Sequence, residues 1–313
     1  MRILITDKVH PVLVQTLSNK GWSIEYNDGI TIEEVHGVIH RFEGVIINSK
    51  IIMDRKLIDK GVNLSFIARL GSGMEIVDIP YARSKNIQII NAPEGNANAV
   101  GEHAMGMLLM LANNLLKGHQ EVTSFIWDRE GNRGFELEGK TVGIIGVGHT
   151  GSAFASKLQG WGLHILGYDK YKAGFGINSV VEETSLEKVT KESDIISFHL
   201  PLSEETIGMC NLDFLKSCKP GVIIINTSRG QVIRTQDLID CLEIGHVSGA
   251  CLDVFENEKP ATYTPVEKAM YTQLFSFPNV ITSPHVAGWT HQSLQRIAEL
   301  ILERIENGYT LEG

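Results

Sequence analysis

One glycine pattern constrains the fold of this 313-residue chain more than any other feature. An apolar segment beginning at Thr141 runs directly into the turn Gly146-x-Gly148-x-x-Gly151. A helix-like segment and a second apolar strand, closed by Asp169, follow this turn. Such a strand–helix–strand unit of about thirty residues is the setting in which a glycine turn binds a dinucleotide. The pattern therefore predicts a parallel α/β sheet with a dinucleotide site at its edge.

Each residue of this pattern has a separate physical task. Gly146 permits the tight turn, Gly148 lets the backbone approach a pyrophosphate, and Gly151 lets helix and strand pack closely. The start of the helix offers N–H groups to the phosphates. Asp169 is placed to accept both ribose hydroxyls and would repel a 2′-phosphate, so NAD is favoured over NADP. FAD fits less well, because the acidic residue in FAD-binding motifs is more often Glu and the motif usually lies at the start of the chain. The other alternative is a glycine turn with a purely structural role.

Composition argues against several classes of partner. The net charge of −9 disfavours nucleic acid and anionic membranes, and no apolar run reaches the roughly eighteen residues of a membrane span. The four cysteines are scattered without a metal-binding spacing, so we expect reduced thiols and no metal site. The first residues resemble a β-strand and lack signal-peptide features, so we expect a cytoplasmic protein.

Strand-like and helix-like segments alternate throughout, which is typical of parallel sheets with crossover helices. We expect an α/β fold of two Rossmann-like domains, each a doubly wound parallel sheet. Because the glycine pattern lies mid-chain, the NAD-binding domain, 99–285, is predicted to be inserted into a substrate (catalytic) domain formed by 1–98 plus 286–313. A cleft between the two domains is the expected ligand site. The strands expected in the first domain are 2–6, 44–47, 64–70 and 87–91, and the expected closing helix is 291–307.

Residues 99–118 are predicted to form one long, strongly apolar helix. A helix of this kind must be packed rather than exposed to solvent. With the following segment 125–135, which contains Trp127, it offers more hydrophobic surface than one nucleotide-binding domain needs. We therefore expect a homodimer formed through this domain.

Three chemistry-bearing side chains follow predicted strand ends in the second half of the chain: Arg229, Glu258 and His285. In open α/β sheets, ligands bind at the carboxyl ends of the strands. An arginine binds a carboxylate bidentately, and a histidine held by a carboxylate exchanges a proton with an alcohol or carbonyl oxygen. Taken singly, each residue could be a loop charge or a turn residue. Together they are the groups needed to move hydride between a 2-hydroxy acid and nicotinamide.

On these residues the chain resembles the D-isomer-specific 2-hydroxy-acid dehydrogenases along nearly its whole length. The motifs that carry the resemblance occur in the family's order and are 91–96, 99–103, 137–146, 199–202, 219–222, 226–230, 252–255 and 283–288. The resemblance implies an NAD-dependent oxidoreductase that acts on the CH–OH group of a small 2-hydroxy or 2-keto acid. It also implies a dimer through the region corresponding to the apolar helix.

The resemblance further implies roles for individual residues. Arg229 would hold the substrate carboxylate and polarise its carbonyl, His285 would be the acid/base, and Glu258 would hold the imidazole. Asp253 would orient the nicotinamide amide. The backbone N–H groups of the loop at Gly71, Ser72 and Gly73 would bind the substrate carboxylate. The implied cofactor-binding set is Gly146, Gly148, His149, Thr150, Gly151, Asp169, His199, Pro201, Thr206, Thr227 and Asp253.

Two departures from the family pattern concern the Glu258 loop. The family usually has Glu directly before Pro here, whereas Lys259 separates Glu258 from Pro260. Counting from Asp253 still favours Glu258, with Glu256 as the lesser candidate. The second departure is the segment 261–279, which is slightly long and diverges in sequence. Trp289, which follows the histidine loop, either lines the pocket or packs between the domains.

The substrate is indicated less clearly than the family. Arg69 before the 71–74 loop resembles the 3-phosphoglycerate dehydrogenase branch, and Lys50 adds a second cation for a phosphate. Asn48 stands where that branch commonly has Arg, and Arg69 could instead form an ordinary strand-end ion pair. D-3-phosphoglycerate/3-phosphohydroxypyruvate is the favoured pair, and hydroxypyruvate, glyoxylate or a broad range of 2-keto acids is the alternative. Another class also stays open, an NAD-sensing scaffold like the C-terminal-binding transcriptional corepressors.

Overall fold

The computed structural model describes residues 1–177 and 179–308. The chain divides into two units, of which the first consists of Met1–Asn96 and the segment that begins at Trp289. The second unit is Ala97–Gly288. The sequence patterns place the two crossings after residues 98 and 285, whereas the units part after Asn96 and Gly288.

The first unit contains a five-stranded parallel sheet in the order β2-β1-β3-β4-β5. Its strands are β1 (Arg2–Ile5), β2 (Ser23–Tyr26), β3 (Gly44–Ile47), β4 (Phe66–Arg69) and β5 (Gln88–Ile90). Its helices before β5 are α1 (Pro11–Asn19), α2 (Ile32–Val38), α3 (Arg55–Lys60) and α4 (Ile79–Ser84). Sequence reasoning missed β2 and α2, because β2 is a half-exposed edge strand without the apolar run that marks its neighbours.

The second unit contains a seven-stranded parallel sheet in the order β12-β11-β10-β9-β6-β7-β8. Its strands are β6 (Thr141–Ile145), β7 (His164–Tyr168), β8 (Glu182–Glu183), β9 (Ile195–Phe198), β10 (Val222–Asn226), β11 (Val247–Leu252) and β12 (Val280–Thr282). Its helices are α5 (Ala97–Ala112), α6 (Leu115–Thr123), α7 (His149–Lys157), α8 (Leu186–Glu192), α9 (Leu212–Ser217), α10 (Thr235–Glu243) and α11 (Pro265–Ser276). The expected fold class, two Rossmann-like domains with parallel sheets, is confirmed.

The central strands of the second sheet are buried on both faces. The run Val-Ile-Ile-Ile-Asn of β10 is buried at every position, as is Ile-Ile-Ser-Phe of β9. Continuous apolar runs of this kind form strands that helices cover on both sides. The strand order reverses at β6, which lies between β7 and β9, so a crevice opens at the carboxyl end of β6.

The prediction of one helix over 99–118 is wrong, because the chain forms two helices there. α5 ends at Ala112 and α6 begins at Leu115, and Asn114 between them has a left-handed backbone with φ of 50°. Asparagine tolerates this conformation better than most residues do. α5 is largely buried and packs against α7, whereas α6 buries none of its side chains. In the described part of the chain, no helix has the length and apolar character needed to cross a membrane.

The last helix, α12 (His291–Asn307), belongs to the first unit, and its predicted bounds are confirmed. It starts with a capping box in which Thr290 and Ser293 satisfy each other's backbone N–H groups. Its apolar face, which includes Ile297 and Ile301, is buried in the same core as β1 and α1. Burying such a side chain contributes about 1.5–3 kcal/mol, so this helix is an integral part of the first unit.

Candidate active site

The glycine turn between β6 and α7 leaves no room for side chains at two of its positions. Gly146 has φ of +91°, and a Cβ there would lie 2.4 Å from the carbonyl oxygen of His199. A Cβ on Gly151 would lie 2.0 Å from the carbonyl oxygen of Gly146. At Gly148, by contrast, no described atom lies within 4 Å of the Cβ position. The turn is therefore closely packed beneath and open above, which fits a pyrophosphate passing over Gly148.

The surroundings of this turn also fit a dinucleotide. α7 begins after Gly148, which has no side chain to cap it, so the N–H groups in its first turn, at His149 and Thr150, are available to an anion. Among the described residues, the buried Oγ1 of Thr227 and Nδ1 of His199 have no hydrogen-bond partner. A buried polar atom without a partner is costly, and a polar ligand at this edge would supply one.

His199 itself is neutral. Its Nε2 lies 2.9 Å from the hydroxyl of Ser197, and its ring lies 5.5 Å from that of Phe154. Burial lowers the pKa of His199 to about 3. The imidazole can therefore offer a hydrogen bond beside the glycine turn without adding a charge.

Asp169 lies at the end of β7, where backbone N–H groups orient its carboxylate. Oδ2 accepts from Val147 N at 2.9 Å, and Oδ1 accepts from the N–H groups of Tyr171 and Lys172, each at 3.0 Å. Oδ2 keeps one lone pair for a ribose hydroxyl, whereas the two backbone N–H groups occupy both lone pairs of Oδ1. The acid is thus fixed next to the glycine turn before any ligand arrives.

Pro201 and Thr206 lie on the loop after β9, on the other side of β6. The hydroxyl of Thr206 donates to the carbonyl of Pro201 at 2.7 Å and accepts from Ser203 N at 2.8 Å. The threonine side chain therefore shapes this loop from within.

Arg229, Glu258 and His285 follow the three neighbouring strands β10, β11 and β12, at their carboxyl ends. His285 Nδ1 lies 2.8 Å from Glu258 Oε2, and Oε1 of the same carboxylate accepts from Phe255 N at 3.3 Å. Glu256, the lesser candidate, accepts instead from Thr235 N at 2.9 Å at the start of α10. The residue that pairs with the histidine is therefore Glu258.

The histidine and its carboxylate shift each other's pKa. The hydrogen bond that His285 donates to Glu258 raises the pKa of His285, against the lowering effects of burial and of the Arg229 charge. Partial burial raises the pKa of Glu258, but the hydrogen bond and charge of His285 outweigh it, so the pKa of this carboxyl lies below its ordinary value. The pair therefore favours a protonated imidazole beside an ionised carboxylate.

The turn that carries Arg229 is held by its own strand end and by one close approach. The Asn226 side chain accepts from the N–H and the hydroxyl of Ser228 and donates to the carbonyl of Arg229 at 2.8 Å. A Cβ on Gly230 would lie 1.9 Å from the carbonyl oxygen of Phe255. Only glycine allows the Arg229 turn to lie this close to the strand end that leads to Glu258.

Asp253 is fully buried, and its carboxylate is directed at the loop that carries His285. It accepts from the Ser283 hydroxyl at 2.6 Å and from the N–H groups of Val286 and Ala287, each at 2.9 Å. These bonds hold the loop in the shape that gives His285 its positive φ of 54°. The nicotinamide-orienting role implied for Asp253 stays a prediction.

Sequence reasoning gave no role to three residues that support the site: His103, Asn226 and Ser283. The single proton of the Ser283 hydroxyl goes to Asp253, so His103 Nε2, which is 2.8 Å from that hydroxyl, must be the donor to it. All three lie inside the motifs 99–103, 226–230 and 283–288. The available signal was a polar residue in an otherwise apolar helix for His103, and polar residues at strand ends for Asn226 and Ser283.

The residues proposed for the substrate lie in the first unit. Arg69 ends β4 opposite Ile47 of β3, so Arg69 and Lys50 both lie at the carboxyl edge of that sheet. Lys50 Nζ donates to the carbonyl of Asp28 at 2.6 Å. Within residues 1–177 and 179–308, the N–H groups of Ser72 and Gly73 donate to no backbone carbonyl.

Comparisons with known proteins agree with this arrangement. Residues 105–287 match the NAD binding domain of the D-isomer specific 2-hydroxyacid dehydrogenases. The chain is 32% identical to a hydroxypyruvate reductase of Thermotoga maritima, over 97% of each chain. It is 29% identical to a D-3-phosphoglycerate dehydrogenase of Archaeoglobus fulgidus, covering 98% of this chain but only 57% of that enzyme's length. The crystal structure of an Aquifex aeolicus D-lactate dehydrogenase with NAD and lactic acid has a TM-score of 0.84 and 27% identity, over 98% of this chain and 96% of that one.

Proposed function

The chain belongs to the D-isomer specific 2-hydroxyacid dehydrogenase family, and we propose that it interconverts a small 2-hydroxy acid and its 2-keto acid with NAD as cofactor. The 2.8 Å pair of His285 with Glu258, beside Arg229 on neighbouring strand ends, carries this proposal. When bound, NAD supplies or accepts the hydride. The protein residues bind, orient and move the proton.

His285 is the acid/base in the proposed mechanism. Glu258 holds the proton on Nδ1, which leaves Nε2 to exchange a proton with the substrate oxygen. In reduction, protonated His285 donates from Nε2 to the carbonyl oxygen as it becomes an alkoxide. In oxidation, neutral His285 takes the hydroxyl proton. Arg229 binds the substrate carboxylate and stabilises the developing negative charge.

The cofactor would lie along the carboxyl edge of the second sheet. We assign the pyrophosphate to the glycine turn and to His149 and Thr150, and the ribose hydroxyls to Asp169. Thr227 and His199 supply hydrogen bonds from their unpartnered buried atoms. The Asp169 carboxylate disfavours the 2′-phosphate of NADP by like-charge repulsion.

For the substrate we propose the pair D-3-phosphoglycerate and 3-phosphohydroxypyruvate. Arg69 and Lys50 at one sheet edge would bind the phosphate, and the N–H groups of Ser72 and Gly73 would bind the carboxylate. The second candidate is hydroxypyruvate. The relative named for it matches this chain at 32% identity and over 97% of both lengths, which favours a substrate without a phosphate.

A direct comparison of substrates tests both candidates. NADH oxidation at neutral pH is measured with phosphohydroxypyruvate, hydroxypyruvate, glyoxylate and pyruvate. We expect phosphohydroxypyruvate to lead by about a hundredfold in kcat/KM, or about 2.7 kcal/mol. Arg69→Ala should remove most of that lead and leave hydroxypyruvate turnover unchanged, while the exposed Arg55→Ala of the same unit serves as control.

Three other outcomes would change the assignment. A lead for hydroxypyruvate makes Arg69 and Lys50 structural cations and selects the second candidate. Equal rates on several keto acids indicate a broad 2-keto-acid reductase. NADH binding with no turnover on any of the four substrates favours the NAD-sensing scaffold.

We further propose that the protein is a homodimer. Large apolar side chains stay exposed on α6 and the turn after it; Phe125 is 92% exposed and Trp127 74%. An exposed apolar group of this size is typical of a protein interface. In light scattering we expect the mass of two chains for the wild type and of one chain for Trp127→Glu. Trp161→Glu, at a half-exposed tryptophan elsewhere in the same unit, should stay dimeric; a monomeric wild type contradicts the proposal.

A further inference from the structure

We propose that Tyr263, Glu267 and Tyr271 are positioning residues. They hold Asn257 by hydrogen bonds, referred to below as the grip, and thereby keep the next residue, Glu258, against His285. The inference rests on the function proposed above, because it assigns a task within that site. The three residues belong to the divergent segment 261–279, which the family pattern does not account for.

The grip uses both the backbone and the side chain of Asn257. Its N–H donates to the hydroxyl of Tyr271 at 3.0 Å, and its carbonyl accepts from the hydroxyl of Tyr263 at 3.1 Å. Its side-chain amide donates to Glu267 Oε1 at 3.1 Å, while its side-chain oxygen accepts from Lys259 N at 3.0 Å. The residue before Glu258 is thus bound on several sides by the segment that follows it.

The gripping residues are themselves firmly placed. Tyr271 is 2% exposed, stacks on Tyr263 at 4.8 Å between ring centroids, and meets the ring of Phe255 edge-on at 6.0 Å. Glu267 also caps the start of α11 through Thr264. A buried ring and a helix terminus are rigid supports, so the packed interior of the second unit fixes the position of the loop 255–258.

Glu258 needs such support. Its side chain is 38% exposed and that of His285 49% exposed, and an ion pair with this access to water contributes little by itself. Asn257 directly precedes Glu258, so its position decides where the carboxylate lies. Lys259, the residue inserted before Pro260, also helps to hold Asn257 in place, because its N–H donates to the side-chain oxygen of Asn257.

The test removes single hydroxyl groups and follows His285 directly. The pKa of His285 is measured by NMR titration of the labelled imidazole, assigned with His285→Ala, in the full chain. The charged groups that face this imidazole are Glu258, Asp253 and Arg229. Tyr271→Phe and Tyr263→Phe keep the rings, so we expect unchanged NADH affinity, a several-fold lower kcat and a His285 pKa shifted downward, in the direction that Glu258→Gln produces.

A double variant separates positioning from general stability. If Tyr271 acts through Glu258, Tyr271→Phe changes neither the His285 pKa nor kcat further in a Glu258→Gln background. Tyr81→Phe in the first unit is the matched control, since it also loses one hydrogen-bonded hydroxyl, to Asp59 at 2.7 Å. Glu267→Gln provides an independent variant if a tyrosine substitution impairs folding.

The outcomes divide clearly. A His285 pKa that stays at its wild-type value in Tyr271→Phe, Tyr263→Phe and Glu267→Gln, while it falls in Glu258→Gln, overturns the proposal. So does an additive loss of kcat in the double variant. Failure of the proposed function looks different: the wild type then turns over no keto acid, while the NMR titration still reports on the grip.

Discussion

The carboxyl edge of the second sheet has two halves that are built by different means. At the half to which we assign the cofactor (the cofactor half), after β6, β7 and β9, the shape comes from backbone: glycines that exclude side chains, an uncapped helix start, and N–H groups that orient Asp169. At the half to which we assign the proton transfer (the catalytic half), after β10, β11 and β12, it comes from side chains that hold one another. A site shaped by backbone can be predicted from a short stretch of sequence, whereas a site shaped by side chains depends on contacts between segments that are far apart in the chain.

The largest expected effect lies in the catalytic half. His285→Ala should lower kcat by about 10²–10⁴, the usual contribution of a general acid or base. NADH affinity, measured by fluorescence titration, should stay within about twofold because no backbone of the cofactor half changes. The exposed His164→Ala is the control, and a variant with wild-type turnover would remove His285 from the mechanism.

The next largest effect concerns the cofactor half, where a substitution should weaken NADH binding and leave stability unchanged. Gly148→Ala adds a methyl group to space that no described atom occupies, so the melting temperature should hold. The same methyl group would stand where the pyrophosphate passes, and NADH affinity should fall about tenfold or more, a loss of about 1.4 kcal/mol. Gly106→Ala on α5, also without a near neighbour, should leave both quantities intact. Unchanged NADH binding in Gly148→Ala would place the pyrophosphate elsewhere.

The smallest effect concerns the pH dependence set by Glu258. Its hydrogen bond raises the pKa of His285, so protonated histidine persists to higher pH. Reduction needs that proton, and its rate is lost as the pH rises through the raised pKa. In Glu258→Gln the pKa falls toward 6.5, the ordinary value, and the loss moves to lower pH, with a several-fold lower rate at neutral pH. Glu256→Gln should disturb α10 but leave the pH profile in place; identical profiles for wild type and Glu258→Gln would contradict the assigned partner.

The two halves also differ in how far sequence reasoning could describe them. The glycine turn and Asp169 were predicted residue by residue, since their spacing along one strand–helix–strand unit is local. Arg229, Glu258 and His285 were predicted as residues after strand ends, with Glu258 favoured over Glu256 by its spacing from Asp253, and the fold shows that Glu258 pairs with His285. The helix break at Asn114 and the grip on Asn257 escaped prediction, because neither has a periodic or compositional signal.

Sequence by itself predicted the two parallel α/β sheets, which the structure confirms, and it proposed the domain insertion and the chemistry-bearing residues. These follow from strand periodicity and from glycines whose backbone demands are local. Tertiary structure alone decided the 2.8 Å contact between Glu258 and His285, the hydrogen bonds by which Asp253 holds the histidine loop, and those by which the segment 261–279 holds Asn257. The physical reason is that a hydrogen bond between side chains depends on distances of a few tenths of an ångström, and these arise only after strands and helices have packed.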